Sequence, residues 1–338
     1  MKRGYRLTLI LLILSTRSFS QDVKLFQSQE PLQLRTTGSI KSIKKKSNDS
    51  TLVTGKFEYK QDTLWVPVPV RARVRGNFRL NNCFFPPLKL KFNKKETTST
   101  IFAGNKSLKL VLPCQTSSDK NDLIRKEYLC YQFYQALSPY YFRTRLANLN
   151  LTEVSRKKPK DYSLLTFFVE DNSMVAKRSD GEVIEVKGIN PASFDEKQSV
   201  RNDFFQYMIG NADWSAIYQH NSNTLRVNGK FIPLSYDFDM SGFVNANYAQ
   251  ANPPTLGTGD VRDRVYRGFC KSKEAMEEVR KEYLDKEEAL YTIIDEHASH
   301  FTKYEVNDMK GYLKEFFNIL RKDYLFKESI LDQCRTTK

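Results

Sequence analysis

The stretch from Asn211 to Gly242 reads N-A-D-W-S-A-I-Y-Q-H-N-S-N-T-L-R-V-N-G-K-F-I-P-L-S-Y-D-F-D-M-S-G. At its centre Asn228-Gly229 is a strong hairpin signal, because both residues tolerate the positive φ that a two-residue turn demands. The flanks, Thr224 to Val227 and Lys230 to Tyr236, are short and β-prone. A turn at this point sets Asn221 opposite Tyr236 and His220 opposite Asp237. It gathers Asn221, Asn223, Asp237 and Asp239 at the open end of the hairpin, with Asp213 just upstream in a short loop after an apolar helix. Three carboxylates and two amides make an oxygen-rich set, which suits Mg²⁺ or Mn²⁺ better than zinc. Asn and Asp are also ordinary turn formers. The distinguishing feature is Pro233 to Asp239, where two acids close an otherwise apolar strand and need partners if buried.

Outward from the hairpin, Val200, Phe204, Tyr207 and Met208 mark an amphipathic helix leading into Asn211, and Glu182 to Val186 reads as a short strand. Further upstream the pattern is strand-rich. Val66, Val68, Val70, Ala72 and Val74 alternate with prolines and arginines, a period of two that gives one apolar face, and the prolines point to an edge strand. Leu88, Leu90 and Phe92 alternate with Lys89 and Lys91, and Leu108-Lys-Leu-Val-Leu112 follows. Asn121 or Asp122 caps a helix to about Leu137 whose apolar stripe includes Glu127. A carboxylate in that stripe is either rim-exposed or paired, and a lysine of the preceding strands is the available partner. Ala147 to Leu151 and Ser163 to Val169 are further strands flanking the basic loop Arg156 to Lys160. Glu170 to Ser173 breaks the pattern like a linker. Downstream of Gly242, Asn245 to Asp260 is a long Asn/Pro/Gly-rich run of the kind that is often functional. Helices follow over Ala275–Tyr291 and Val306–Leu325, with His297 and His300 on a charged face.

The chain has 338 residues with 54 Lys and Arg against 39 Asp and Glu, a net charge of +15. Met1-Lys-Arg3, the apolar run Leu7 to Leu14 and Ser18-Phe-Ser20 read as a signal peptide, so the mature chain is expected to begin near Gln21 and to be exported, periplasmic or extracellular. Without the four leader cations the charge is still +11, which favours anionic partners such as nucleotides or envelope polymers. Zinc-finger and arginine-rich nucleic-acid motifs are absent, so no specific nucleic-acid partner is expected. No later stretch qualifies as a transmembrane segment. No Ser-His-Asp or Cys-His arrangement points to a hydrolase. Five cysteines leave at least one unpaired, and Cys83 and Cys114, which flank one strand-rich segment, are candidates for a bridge.

The order of elements gives an α+β, two-lobed plan: a leader over 1–20, a basic polar arm over 21–50, a β-rich lobe over 51–172 and a mostly helical lobe over 173–338. Val74-Arg-Gly-Asn77, Leu88-Lys-Leu-Lys-Phe92, Ile124-Arg-Lys-Glu-Tyr-Leu129, Asn211-Ala-Asp-Trp-Ser215 and Ile232 to Asp239, in this order over about half the chain, resemble the CotH (spore coat protein H) family of atypical protein-kinase-like proteins and, more distantly, HipA-type kinases. The resemblance implies a protein-kinase-like fold and phosphoryl transfer from ATP with Mg²⁺ or Mn²⁺ to a protein or envelope acceptor. It implies Asp213 as the catalytic carboxylate, Asn221 and Asp237 as metal ligands with Asp239 assisting, and Glu127 as the partner of a lysine that holds the nucleotide phosphates. Lys91 matches the family's strand lysine, while Lys109 stands at a better distance before Glu127; both remain candidates. A second reading is a non-catalytic scaffold or binding protein of the envelope, since no Gly-rich phosphate loop is present.

Overall fold

Alternating strands with one apolar face must bury that face, and here they do so by curling into a barrel. The computed structural model describes residues 23–46, 51–154, 158–250 and 259–336. The proposed leader, part of the basic loop at 155–157 and residues 251–258 of the long Asn/Pro/Gly-rich run lie outside them.

The barrel strands are β1 (Leu32–Gly38), β2 (Val53–Gln61), β3 (Leu64–Val74), β4 (Leu88–Lys91), β5 (Ser107–Val111), β6 (Thr144–Glu153) and β7 (Lys160–Val169). They close in the order β1-β2-β3-β4-β5-β7-β6, and β1 returns to β6 in parallel register over Leu32–Ala147 to Gly38–Glu153. The other pairings are antiparallel. Pro67 and Pro69 sit in the part of β3 that pairs with β2, while pairing with β4 begins at Arg71. The missing amide protons therefore face an unpaired side, the physical content of the edge-strand expectation.

Short helices decorate the barrel: α1 (Ile40–Lys46), α2 (Asn77–Asn82) and α3 (Lys94–Thr97). Then α4 (Lys120–Leu137) packs against β7, and α5 (Asn172–Arg178) leads to β8 (Glu182–Ile184). Next come α6 (Glu196–Met208) and the hairpin β9 (Ser222–Val227) and β10 (Lys230–Ser235), joined with β8 in the sheet order β10-β9-β8. The chain continues through α7 (Lys273–Glu296), α8 (Lys303–Arg321) and α9 (Asp323–Phe326). Apolar side chains form two cores, one lining the barrel interior and one among α4, α6, α7, α8 and the hairpin, with β7 serving both.

This architecture corrects the two-lobed, protein-kinase-like expectation. The N-terminal strands do not form a separate open lobe sheet; they form a closed seven-stranded mixed barrel. The closing element is β1, which lies in the segment read as a polar arm. A strand with exposed edges is a liability, and one added strand that pairs on both sides removes both edges. Nor is Glu170 to Ser173 a loose linker. Glu170 is buried and accepts from the Arg143 amide, and Asp171 caps α5 through the Ser173 amide. His297 and His300 fall just beyond α7, and His297 packs edge-on against Tyr128 beside Arg125, where burial holds its imidazole down at about 4.

Cys83 and Cys114 are bridged, as their position predicted, and Cys270 is bridged to Cys334, a pairing the spacing did not show. Cys130 is free and buried. Among the described residues no helix is long and apolar enough to cross a membrane.

Candidate functional site

The hairpin forms as its sequence requires. Asn228 and Gly229 take φ of 48° and 76°, and the register Val227–Lys230 to Ser222–Ser235 brings the Tyr236 amide onto the Asn221 carbonyl at 3.1 Å. Beyond Ser235 the strand ends. Asp237 adopts a left-handed φ of 69°, and its amide donates to the Tyr131 hydroxyl of α4 at 3.0 Å. Phe238 is thrown inward onto Tyr131 and Phe205. This turn aims Asp237 and Asp239 at the same point, instead of swinging Asp239 away.

That point is filled by Arg79 of α2. Its Nη2 lies 2.7 Å from Asp237 Oδ1 and 3.7 Å from Glu127 Oε1, and it is paired with Asp239 as well. Lys109 of β5 reaches Asp237 Oδ1 at 2.7 Å and lies over the Tyr236 ring. The three carboxylates present oxygens within 4.8 Å of one another. Arg79, Glu127 and Asp239 are buried, and Asp237 is partly open.

Such crowding shifts the acids in opposite directions. Burial pushes Glu127 up to about 7, with Arg79 opposing and the other two acids adding to the rise. Asp239 is raised for the same first reason. Burial also acts on Asp237, but Arg79 and Lys109 outweigh it and hold this carboxyl well below the usual range. Lys109 is lowered by burial despite Asp237. Two oxygens of the cluster, Glu127 Oε1 and Asp239 Oδ2, are buried with no hydrogen-bond partner among the described residues. Buried polar atoms are ordinarily satisfied, so these two oxygens, beside the Arg79 guanidinium and with Tyr248 also against Asp239, are the candidate donors for a metal cation. All-oxygen donors of this kind suit Mg²⁺ or Mn²⁺.

Beside the cluster a cleft of about 70 Å³ is walled by Arg75, Lys89, Lys109, Ser107, Asp171 and Tyr236. Lys89 faces Lys109 across the β4–β5 ladder and is lowered by burial. Three cations around a small polar recess match an anion the size of a phosphate group.

Asp213 and Asn221 form a second constellation. The Asn221 amide donates to the Asp213 carbonyl at 2.8 Å and to Asp213 Oδ2 at 2.9 Å, and His220 Nε2 lies 2.7 Å from Asp213 Oδ1. Asp213 and His220 are about half exposed there, with side-chain exposures of 45% and 59%.

The structure thus brings together Asp237, Asp239, Glu127 and Lys109. It places Asn221 on Asp213, with Glu127 standing in the carboxylate cluster. Lys91 is exposed on β4, opposite Arg71 and Ser107, so of the two candidate lysines Lys109 is the one at the acids. The expected lysine–Glu127 ion pair is corrected to Arg79–Glu127, because α2 delivers a longer, forked side chain into the gap. Sequence reasoning missed Arg79, Arg75 and His220. Nothing in the local sequence marked Arg79, which lies on the six-residue α2 between Gly76 and Cys83 and reaches the acids only through the packing of that helix. No protein-family model and no curated protein matches the chain.

Proposed function

We propose that Glu127, Asp237 and Asp239 form a divalent-cation site and that the protein transfers a phosphoryl group from a metal-bound nucleotide such as ATP to an acceptor hydroxyl. The observation that carries this reading is the pair of orphaned carboxylate oxygens inside a three-acid cluster, next to a recess walled by Arg75, Lys89 and Lys109. A divalent cation held there would neutralise and orient phosphate oxygens, the main requirement of phosphoryl transfer. The chain's own groups divide the remaining work. Lys109 and Lys89 supply positive charge to the phosphates. Asp213 is exposed enough to meet an acceptor and is oriented by Asn221 and His220, which fits a group that takes the hydroxyl proton. The order of motifs resembling CotH-type kinases supports the same chemistry, although the barrel is not the fold that resemblance implied.

Export is part of the proposal. Two disulfides favour an oxidising compartment, in line with the leader-like first twenty residues. The acceptor on this reading is a protein or an anionic envelope component.

A scaffold without turnover is the second reading, favoured by one observation: Arg79 already neutralises the acids. Thermal shift with Mn²⁺ and ATP, together with transfer of labelled γ-phosphate, separates the two. On the catalytic reading wild type is stabilised by Mn²⁺–ATP and transfers phosphate, Asp239→Asn loses both, and Asp213→Asn loses transfer only. Stabilisation without transfer selects the scaffold. No Mn²⁺–ATP shift in wild type removes the proposed cation and nucleotide site.

A further inference from the structure

The barrel is not filled. Inside it lies a cavity of about 280 Å³ to which every barrel strand contributes, through Leu34, Phe57, Val70, Leu90, Leu110, Leu149 and Phe168. Barrels of about eight strands are narrow enough for side chains to pack the interior or to hold one small ligand. Protein interiors otherwise keep few voids larger than a water molecule, and a void lined by Leu, Val and Phe offers water no partners.

The emptiness has a sequence cause at one end. On β2 the inward positions run Val53, Gly55, Phe57 and Tyr59; on β1 they run Leu32, Leu34, Thr36 and Gly38. The β1–β2 pairing holds at Leu34–Tyr59 and Arg35–Glu58 and stops short of Gly38 on β1 and Gly55 on β2. A Cβ added at either glycine would meet nothing within 4 Å, and neither has the positive φ that would call for glycine. Two glycines on inward positions therefore open a gap in the wall. Over this end lies α1, which turns Ile40 and Ile43 to the cavity while Lys41, Lys45 and Lys46 stay exposed. The polar lining is confined to this mouth: Thr36, Thr37, Ser39, Ser42, Thr54 and Lys56. Glu153, an acid on the same rim, is engaged by the Ser39 hydroxyl and the Ile40 amide at the start of α1. Lys44 is engaged by the Cys83 carbonyl.

We propose that the barrel lumen binds a single aliphatic chain with an anionic head, a medium-chain carboxylate, which enters past Gly38 and Gly55 and leaves its head among Lys56 and the lysines of α1. At about 30 Å³ per heavy atom, the share of a water in the liquid, 280 Å³ holds roughly nine heavy atoms. Decanoate, nine carbons and a carboxylate, is the matching probe. The site is separate from the carboxylate cluster and does not depend on its function.

Titration calorimetry of the full chain with decanoate tests this, with decanol as the neutral-headed control. Wild type is expected to bind one decanoate and to bind decanol more weakly. Gly55→Trp fills the mouth with a strand-favouring residue whose Cβ meets nothing within 4 Å; it should reduce decanoate binding at least tenfold while Gly55→Ala retains it, with unchanged far-ultraviolet circular dichroism and cooperative melting in both. Lys56→Gln should weaken decanoate by about fivefold, the effect of one unit-charge contact in water, and leave decanol unchanged. No decanoate binding by wild type, or equal binding by folded Gly55→Trp, overturns the lumen as the site. Equal affinity for decanol and decanoate overturns the anionic head.

Discussion

Arg79→Met tests whether one arginine stands where a cation would. The guanidinium is buried, is held well above its ordinary value by Asp237, Asp239 and Glu127 against the opposing effect of burial, and touches all three acids. Without it, three carboxylates with oxygens within 4.8 Å are left with the Lys109 ion pair and the more distant charge of Arg75. At an effective dielectric constant of about 20, two charges at that spacing repel by about 3.5 kcal/mol. Protonation of Glu127, already raised to about 7, relieves part of this. Breaking a buried ion pair by removing one partner usually costs about 3–5 kcal/mol, and that is the loss expected at pH 8. The loss shrinks on acidification, because carboxyls with raised folded-state values bind protons more readily in the folded chain than in the unfolded one. Mn²⁺ should then substitute for the lost charge: at about 100 times its Kd, it returns about 2.7 kcal/mol. Urea denaturation followed by the fluorescence of Trp65 and Trp214, with and without Mn²⁺, reads both effects. The reasoning is refuted if Arg79→Met is as stable as wild type at pH 8, or if Mn²⁺ stabilises it no more than it stabilises wild type.

Other perturbations address the frame. Asp203 is buried on α6, and burial raises it to about 7 from 3.8. Its charge therefore destabilises the fold as pH rises from about 4 to 7, by up to about 4 kcal/mol at 1.36 kcal/mol per unit; Asp203→Asn should flatten the melting temperature between pH 5 and pH 8, and an unchanged pH slope would sink the assignment. Tyr131→Phe removes the acceptor of the Asp237 amide and should cost about 1–3 kcal/mol, read by urea denaturation, with a weaker Mn²⁺–ATP shift if that turn positions Asp237. The bridges Cys83–Cys114 and Cys270–Cys334 span 31 and 64 residues, so chain entropy gives each about 4 kcal/mol; peptide mapping without reductant should recover both pairs and leave Cys130 as the thiol. Gly229→Ala, at a φ of 76°, should cost on the order of 1 kcal/mol by chemical denaturation and leave the sheet register intact.

Local chemistry determined much of this protein. The Asn-Gly turn fixed its hairpin register by itself, because positive φ at two adjacent residues admits few alternatives. The alternation from Val66 to Val74 set a strand with one buried face, and the helix stripe around Glu127 marked a carboxylate that would be either rim-exposed or paired; its burial beside Arg79 decided for pairing. Cys83 and Cys114 were candidates for a bridge because they flank one segment, though spacing alone could not fix the pairing. None of these inferences needs more than a few neighbouring residues. Closure of the barrel was different: β1 is seven residues from a polar stretch, and its parallel partner β6 lies more than a hundred residues away. A strand's periodicity says which face is buried but not which edge it will meet, so an open lobe and a closed barrel read alike. The carboxylate cluster has the same character. Arg79 meets Asp237 across 158 residues of sequence, and the left-handed turn at Asp237, which brings Asp239 in beside it, is held by the Tyr131 hydroxyl of a distant helix. Asn221 keeps its backbone bond to Tyr236 while its side chain goes to Asp213, so the acids beyond Ser235 and Asn221 were claimed by separate neighbours. Which acids share a point in space, and which cation stands between them, was decided only by the packing of α2, α4 and β5 around that end.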